Sequence, residues 1–261
     1  MLAIERRNKI LSKLQEEHKV VVSDLSQLYN VTEETIRRDL EKLENEGLAK
    51  KTYGGAVLNE SFNIDLPYTV RKKANVGGKQ QIAEMVAALI EDGAHIMLDA
   101  SSTALFIAKR IKDKKNITVI TNSVEILLEL SDRTGWKILS TGGRLKEGGL
   151  ALVGYQAERM ISTFHVDYAI FSCKGIEMEH GLTDANESDA QIKKMISKAA
   201  KKRILAVDHS KFDKISFTQV CDFSEIDMVV TDIEPEEGWK QLFSSVGIEL
   251  ACPAAKIGEV I

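Results

Sequence analysis

From residue 79 onward, short apolar segments alternate with segments of helical spacing, and this alternation constrains the fold more than any other feature. The apolar segments are almost free of charge, as strands buried on both faces of a sheet must be. The sequence therefore predicts an α/β domain with a mostly parallel sheet covered by helices. The predicted helices cover residues 79–91, 103–111, 124–130, 154–161 and 190–200, and the predicted strands cover 94–98, 117–120, 136–139, 168–172, 203–207 and 228–231.

The first 58 residues show a different order of elements. Helical spacing predicts a first helix over residues 4–18, whose apolar stripe starts at Ile4 and is interrupted by Arg7. A β-type run over residues 20–22 follows. Ser23 is expected to cap a second, short helix, because a serine hydroxyl accepts a free N–H group of the first turn.

A third helix is predicted to start after Thr32, a capping residue, and to end at Gly47. Three of its side chains recur at helical spacing and are expected to face the core: Ile36, Leu40 and Leu43. Residues 48–58 then read as two short strands around a glycine-containing bend. The series of helix, short helix, turn, helix and strand pair predicts a winged helix-turn-helix.

Polar and basic side chains lie where a recognition helix and its wing would meet DNA. The start of such a helix enters the major groove and needs short polar or arginine side chains there, whereas a wing reaches phosphates. The candidate DNA contacts are Thr32, Thr35, Arg37 and Arg38 in the helix, and Lys50, Lys51 and Tyr53 in the wing. For a lone arginine pair a solvated surface would be the favoured explanation, but the ordered series of elements favours DNA binding.

Residues 59–78 lie between the two patterns and contain polar, proline, basic and glycine segments. This composition predicts a linker. The expected organisation is a DNA-binding domain over residues 1–58, the linker, and an effector-binding domain over residues 79–261.

Charge and cysteine content exclude several classes of protein. The net charge of −4 offers no global attraction to nucleic acid, so DNA binding must come from locally placed cations. No apolar run is long enough for a membrane segment or an export signal, which favours the cytoplasm. Neither a metal nor another cofactor is expected, because the three cysteines are far apart and form no Cys-x-x-Cys pair: Cys173, Cys221 and Cys252.

Polar or glycine-rich loops follow four of the predicted strands. In a parallel sheet these loops converge at one edge, where open α/β sheets bind ligands. The loop after the first of these strands, residues 99–103, suits a phosphate because small hydroxyl residues precede a helix N-terminus. Helix capping alone is the alternative use of these hydroxyls. The candidate ligands in the four loops are Asp99, Ser101, Ser102, Thr103, Thr121, Asn122, Gly142, Gly143 and Lys174.

Further charged side chains are candidates for the same site. Lys174, Lys193 and Lys211 are expected to neutralise a phosphate, while Asp99 and Glu187 would accept hydrogen bonds from sugar hydroxyls. For each lysine, a solvated surface position is the alternative.

The segment from Val31 to Gly47, VTEETIRRDLEKLENEG, and the later Tyr53-Gly-Gly-Ala56 closely resemble the helix-turn-helix signature of the DeoR family of bacterial transcriptional regulators. Two positions depart from the family pattern: Lys51 replaces a common arginine, and Tyr53 replaces a common histidine. The resemblance implies a repressor of a carbohydrate catabolic operon that binds operator DNA as a dimer or tetramer.

The strand-end loops also resemble the effector domain of this family, which is similar in fold to ribose-5-phosphate isomerase and glucosamine-6-phosphate deaminase. That resemblance implies a phosphorylated sugar as effector. Residues 99–103 and 171–176 resemble the L-fucose operon regulators within the family, which implies a deoxysugar phosphate such as fuculose 1-phosphate.

Two other functions compete with a regulator. Asp184, Glu187 and Asp189 are carboxylates that would serve as general bases in a sugar-phosphate isomerase or deaminase. A DNA-binding protein without sequence preference is the other alternative. The DNA-binding pattern attached to the sugar-phosphate pattern favours the regulator over both.

Overall fold

A computed structural model of the protein describes residues 1–45, 48–58, 67–147 and 149–253. The chain forms two compact units, Met1–Ala74 and Asn75–Ile261. The boundary between the two units falls within the predicted linker over residues 59–78, and residues 68–73 and 76–78 of that linker are helical. Residues 59–66 of that linker, and the predicted helix-ending Gly47, lie outside the described residues.

The described residues of the first unit form four helices and three strands. They are α1 Ala3–Glu17, β1 Lys19–Val21, α2 Val22–Tyr29, α3 Glu33–Asn45, β2 Ala49–Thr52, β3 Gly55–Leu58 and α4 Tyr68–Lys73. The strands pair antiparallel in the order β1-β3-β2, so that β2 and β3 form the wing. The predicted helix-turn-helix with its wing is therefore present. Ile36, Leu40 and Leu43 lie in the core of this unit, as predicted.

Two details of the first unit differ from the sequence predictions. Ile4 is exposed, and the buried stripe of α1 begins at Arg6 instead, because Arg6 pairs with a carboxylate on α3. Ser23 does not cap α2, which begins one residue earlier at Val22. The N–H group of Val22 donates to the Gly54 carbonyl oxygen at 2.9 Å, so the wing takes the place of a capping hydroxyl.

The second unit is built on a parallel sheet. Its helices are α5 Val76–Leu89, α6 Ser102–Arg110, α7 Val124–Leu130, α8 Tyr155–Ile161, α9 Glu187–Lys198 and α10 Glu237–Ser245. Its strands are β4 His95–Leu98, β5 Thr118–Thr121, β6 Lys137–Ser140, β7 Arg144–Leu145, β8 Leu152–Val153, β9 Val166–Phe171, β10 Gly175–Glu177, β11 Gly181–Asp184, β12 Ala200–Ala206, β13 Thr218–Cys221, β14 Met228–Val230 and β15 Glu249–Ala251.

Seven of these strands form one sheet in the order β15-β14-β12-β9-β4-β5-β6, and every pair in it is parallel. Successive side chains of a strand point to opposite faces, and both faces are covered. In β4, Met97 lies in the core on one face, whereas Ile96 and Leu98 lie in the core on the other. Burial of both faces explains why the strands carry few charges. The exception is the start of β12, where Lys201 is exposed and Lys202 and Arg203 are partly exposed.

Some elements of the second unit escaped the sequence patterns. They are the β7–β8 hairpin, the antiparallel sheet β10-β11-β13, helix α10 and the edge strand β15. These strands have two to four residues, which is too short for an alternating pattern to stand out.

Close packing of backbone against a carboxylate fixes the start of α5. Asn75 has φ of 43°, and its Oδ1 accepts the N–H of Gly78 at 3.3 Å while its Nδ2 donates to Asp232 Oδ2 at 2.9 Å. Asp232 is held in place, because it also accepts the backbone N–H of His209 at 2.7 Å and contacts the His209 ring. A Cβ atom on Gly78 would lie 2.1 Å from Asp232 Oδ2.

Gly78→Ala is expected to destabilise the second unit by about 1–3 kcal/mol, the usual cost of forcing an extra carbon into a packed site. The reason is that Asp232 must move and lose its bonds to Asn75 and His209. Gly77→Ala is the matched control, since nothing lies within 4 Å of its Cβ and alanine favours the helix by up to about 1 kcal/mol. Chemical denaturation measures both, and equal stabilities of the two variants would contradict the expectation.

Candidate functional site

The start of α3 exposes the polar side chains that the sequence placed there. The N–H of Thr35 donates to Thr32 Oγ1 at 3.3 Å, so Thr32 caps the helix as predicted. The two hydroxyl oxygens are 2.9 Å apart. Thr32 is exposed and Thr35 is partly exposed, which leaves both hydroxyls within reach of a ligand.

The two arginines of α3 are exposed and paired within the helix. Arg37 Nη2 lies 2.7 Å from Glu33 Oε2, and Arg38 Nε lies 3.3 Å from Glu34 Oε1. Exposed pairs of this kind stabilise a protein little. Each guanidinium can therefore exchange its glutamate for another acceptor at low cost.

The wing presents the other cations of this surface. Lys50, Lys51 and Tyr53 are all exposed, with Tyr53 at the turn between β2 and β3. Glu44 of α3 accepts the backbone N–H of Lys51 at 2.8 Å and lies 3.9 Å from its ammonium nitrogen. These contacts fix the wing to the end of α3.

A buried ion pair in this unit was missed by the sequence patterns. Arg6 Nε of α1 lies 2.5 Å from Asp39 Oδ2 of α3, and both residues are buried. Arg7 Nη1 lies 3.7 Å from the other oxygen, Asp39 Oδ1. Helical spacing could have revealed this pair. Arg6 lies four residues before Ile10, and Asp39 lies three residues after Ile36, so each charged residue falls on the apolar face of its helix.

In the second unit, the loops after the parallel strands gather at one edge of the sheet. The loop after β4 leads into α6, and Ser101 Oγ accepts the N–H of Ala104 at 3.0 Å as the helix cap. Ser102 and Thr103 follow as the first two residues of α6, and both are buried. Helix capping thus accounts for Ser101 but not for Ser102 and Thr103.

Asp99 and Thr121 make bonds that hold strand ends together. Asp99 is fully buried and accepts the N–H groups of Ser101 at 3.2 Å and Ser172 at 3.3 Å. Burial raises the pKa of Asp99, although Lys193 and these hydrogen bonds oppose the shift. Thr121 Oγ1 donates to the Leu98 carbonyl oxygen at 2.8 Å.

Asn122 offers a free acceptor at this edge. Its Nδ2 donates to the Leu152 carbonyl oxygen at 3.1 Å, whereas its buried Oδ1 has no hydrogen-bond partner among the described residues. In the loop after β6, Gly142 and Gly143 have φ of 62° and 104°. A Cβ on Gly143 would lie 2.8 Å from the Val153 carbonyl oxygen, so the loop after β6 requires glycine.

Lys193 lies among carboxylates. Its ammonium group bonds to the fully buried Asp184 and lies 3.6 Å from Asp99 Oδ2. Burial alone would lower the pKa of Lys193, but Asp184, Asp99 and Asp189 outweigh it, so the pKa is raised and the side chain is charged. Lys193 was predicted to neutralise a phosphate. Its positive charge is instead already neutralised by carboxylates of the protein.

Two of the carboxylates considered as general bases are also paired. Asp184 bonds to Lys193, and Asp189 accepts from Lys146 of the β7–β8 hairpin at 2.7 Å. Burial alone would raise the pKa of Asp189, but Lys193, Lys146 and a hydrogen bond outweigh it and the pKa is lowered. Glu187, the first residue of α9, is exposed.

Lys174 and Lys211 are partly exposed in loops after β9 and β12. Asp208, which the sequence did not single out, begins the turn that carries Lys211. Burial alone would raise the pKa of Asp208, but Lys211, the hydrogen bonds from Ser210 and the charge of Lys79 outweigh it and the pKa is lowered. The edge thus combines partly exposed cations with buried carboxylates.

Within the described part of the chain, no group of three or more His, Cys, Asp or Glu side chains is arranged to hold a metal ion. None of the described helices has the length and apolarity needed to cross a lipid bilayer.

Comparison with known families matches both units. A model of the DeoR C terminal sensor domain matches residues 74–233, and a model of the DeoR-like helix-turn-helix domain matches residues 6–62.

Three curated relatives are similar over nearly their whole length. The HTH-type transcriptional regulator YulB of Bacillus subtilis is 38% identical over 89% of this chain and 90% of its own. The transcriptional repressor GlcR of the same species is 36% identical over 94% and 95%. The L-fucose operon activator of Haemophilus influenzae is 34% identical over 87% and 91%. A regulator of an L-fucose operon is thus among the relatives, in keeping with the resemblance that residues 99–103 and 171–176 carry.

Among solved structures, ribose 5-phosphate isomerase A of Methanocaldococcus jannaschii aligns with 53% of this chain and 55% of its own at a TM-score of 0.40 and 17% identity. A likeness of this size has no bearing on function.

Lys193→Met is expected to destabilise the second unit by about 3–5 kcal/mol at pH 7, because removing one partner strands the buried carboxylates of Asp184 and Asp99. A carboxyl group whose folded-state pKa is raised costs stability in full above that pKa, and the cost shrinks as the pH falls from there toward the unfolded-state pKa. The deficit relative to the wild type should therefore shrink between pH 7 and pH 5.

Denaturant unfolding at several pH values measures this deficit. Lys198→Met, which removes an exposed lysine from the same helix, should change stability little at any pH. A deficit for Lys193→Met that is small at pH 7, or that grows on acidification, would disprove the assigned ion pairs.

Proposed function

Because this chain belongs to the DeoR family of transcriptional regulators, we propose that its first unit binds operator DNA and that a phosphorylated sugar bound by its second unit controls this binding. One observation carries the effector proposal: the buried hydroxyls of Ser102 and Thr103 occupy the first turn of α6, at the edge where the strands end. A helix N-terminus with hydroxyls beside it favours a phosphate group.

In the DNA-binding part of the proposal, α3 enters the major groove. Thr35, Arg37 and Arg38 contact base edges there, and Thr32 contacts the backbone beside the groove. In the wing, Lys50, Lys51 and Tyr53 contact phosphates and orient the unit on the duplex. Their exposure and the weak pairing of both arginines support this assignment.

In the effector-binding part, side chains divide into ligands and supports. The loop hydroxyls of Ser101, Ser102 and Thr103 surround the phosphate, with charge supplied by Lys174 and Lys211 and a backbone N–H group by Gly143. Gly142 shapes this loop, because its own N–H donates to Ser140 Oγ at 3.1 Å. Asn122 Oδ1 and Glu187 accept from sugar hydroxyls. We assign Asp99, Thr121 and Lys193 a different part: their buried bonds hold the loops in position.

We also propose that the protein represses a carbohydrate operon as a homo-oligomer. Such an oligomer binds two half-sites about 10–10.5 bp apart, or a multiple of that distance. Selection of duplexes from a random pool should yield paired half-sites, and nuclease footprinting should protect both. Recovery of one unpaired site would overturn the oligomeric arrangement, and no enrichment at all would overturn sequence-specific binding.

Arg38→Ala is expected to weaken binding to the selected duplex by about 1–3 kcal/mol, because a base contact is lost, while binding to random duplex falls much less. Lys42→Ala removes an exposed cation further along the same helix and should lower both affinities alike. Fluorescence anisotropy with both duplexes measures the difference. Equal losses on the two duplexes for Arg38→Ala would remove this residue from base recognition.

Ser102→Ala combined with Thr103→Ala should leave DNA affinity unchanged and abolish the response to a sugar phosphate. A thermal-shift screen over phosphorylated sugars identifies the effector, since a ligand of the folded state raises its melting temperature. Ser131→Ala combined with Thr163→Ala removes the same atoms from exposed positions and should preserve the response. A full response in the Ser102/Thr103 double variant would refute the phosphate position.

A further inference from the structure

The buried Arg6–Asp39 pair joins α1 to α3, the helix that carries the candidate base contacts. We propose that it is a positioning device, which fixes the rotation of α3 about its own axis and thereby the direction of the side chains that read bases. The inference rests on the proposed function, because it takes α3 as the helix that enters the groove.

The pair is built into the interface between α1 and α3. Asp39 is 3% exposed and Arg6 is 7% exposed, and both belong to helices whose apolar side chains, such as Ile10 and Ile36, form the unit's core. Both carboxylate oxygens of Asp39 face α1, one 2.5 Å from Arg6 Nε and the other 3.7 Å from Arg7 Nη1. Two charged groups of one helix thus engage one side chain of the other from a fixed direction.

Stability alone does not explain an ion pair at this place. Apolar contacts are non-directional and would bury the same interface. Replacing both members of a buried pair by apolar residues of similar volume is often neutral or stabilising, whereas removing one member is strongly destabilising. A charge-assisted hydrogen bond adds what apolar packing lacks, a preferred direction. Buried polar residues set the register of coiled coils in the same way.

Small rotations of α3 have large effects on base contacts. Arg38 precedes Asp39 directly, and Thr35 lies one turn before it on the same side of the helix. Groups on a helix surface lie about 5–6 Å from its axis, so a rotation of about 10° moves them by about 1 Å. Hydrogen bonds tolerate only about 0.5 Å. Phosphate attraction depends on charge and distance and tolerates such a shift.

The test is a double variant, Arg6→Met with Asp39→Leu, in the full chain. Its readout is the ratio of dissociation constants for random and selected duplexes, measured by fluorescence anisotropy beside thermal unfolding. We expect a folded protein whose affinity for random duplex stays within about twofold of wild type. Its ratio should fall by about tenfold or more, as when a base contact is misaligned. Lys13→Met with Glu17→Leu, an exposed pair on α1, is the matched control and should keep the wild-type ratio.

A folded double variant with the wild-type ratio overturns the inference. If the double variant does not fold, Arg6→Lys takes its place: it keeps the charge and loses the planar guanidinium. It should lower the ratio, and an unchanged ratio again overturns the inference. A wild-type protein with a ratio near one overturns the proposed function itself, before any variant is considered.

Discussion

Parallel pairing throughout the seven-stranded sheet is the constraint on which the second unit depends. Because parallel strands run in the same direction, the loops after β4, β5, β6, β9 and β12 emerge at a single edge. Helices that start there turn the positive ends of their dipoles toward the same edge. A site for an anion with several hydroxyls thus follows from topology before any particular side chain is considered.

The same topology buries charged groups at this edge. The ion pairs and hydrogen bonds between them hold the loops together. Asp99 bonds to the loop after β9, and Lys193 joins Asp99 to Asp184. Buried charges are tolerated only when they are paired and hydrogen-bonded. The buried Asp99, Asp184 and Lys193 therefore hold the loops in place. The partly exposed Lys174 and Lys211 are better placed to meet a ligand.

Much of the fold could be predicted because it rests on repeated patterns. The uncharged strands predicted the parallel sheet, and apolar spacing predicted the core face of α3, both confirmed here. The family matches confirm the predicted regulator over the predicted alternative of an enzyme. The proposed ligands of DNA and effector stay predictions.

What escaped prediction depends on partners distant in sequence. Helical spacing alone allowed the buried stripe of α1 to begin at Ile4. Arg6 is buried instead because it pairs with Asp39, which lies on another helix. Val22 begins α2 because the wing carbonyl of Gly54 satisfies its N–H. Lys193 was expected to face a phosphate, since a single sequence does not show that Asp99 and Asp184 surround it.

The proposed function requires the two units to be thermodynamically coupled through one ligand. Titration of the selected duplex complex with phosphorylated sugars, beside the same sugars without phosphate, tests it directly. One phosphorylated sugar should change the affinity for the duplex, and by reciprocity the duplex should change the affinity for that sugar by the same factor. DNA affinity that is indifferent to every phosphorylated sugar, or that responds equally to the unphosphorylated ones, would contradict the account.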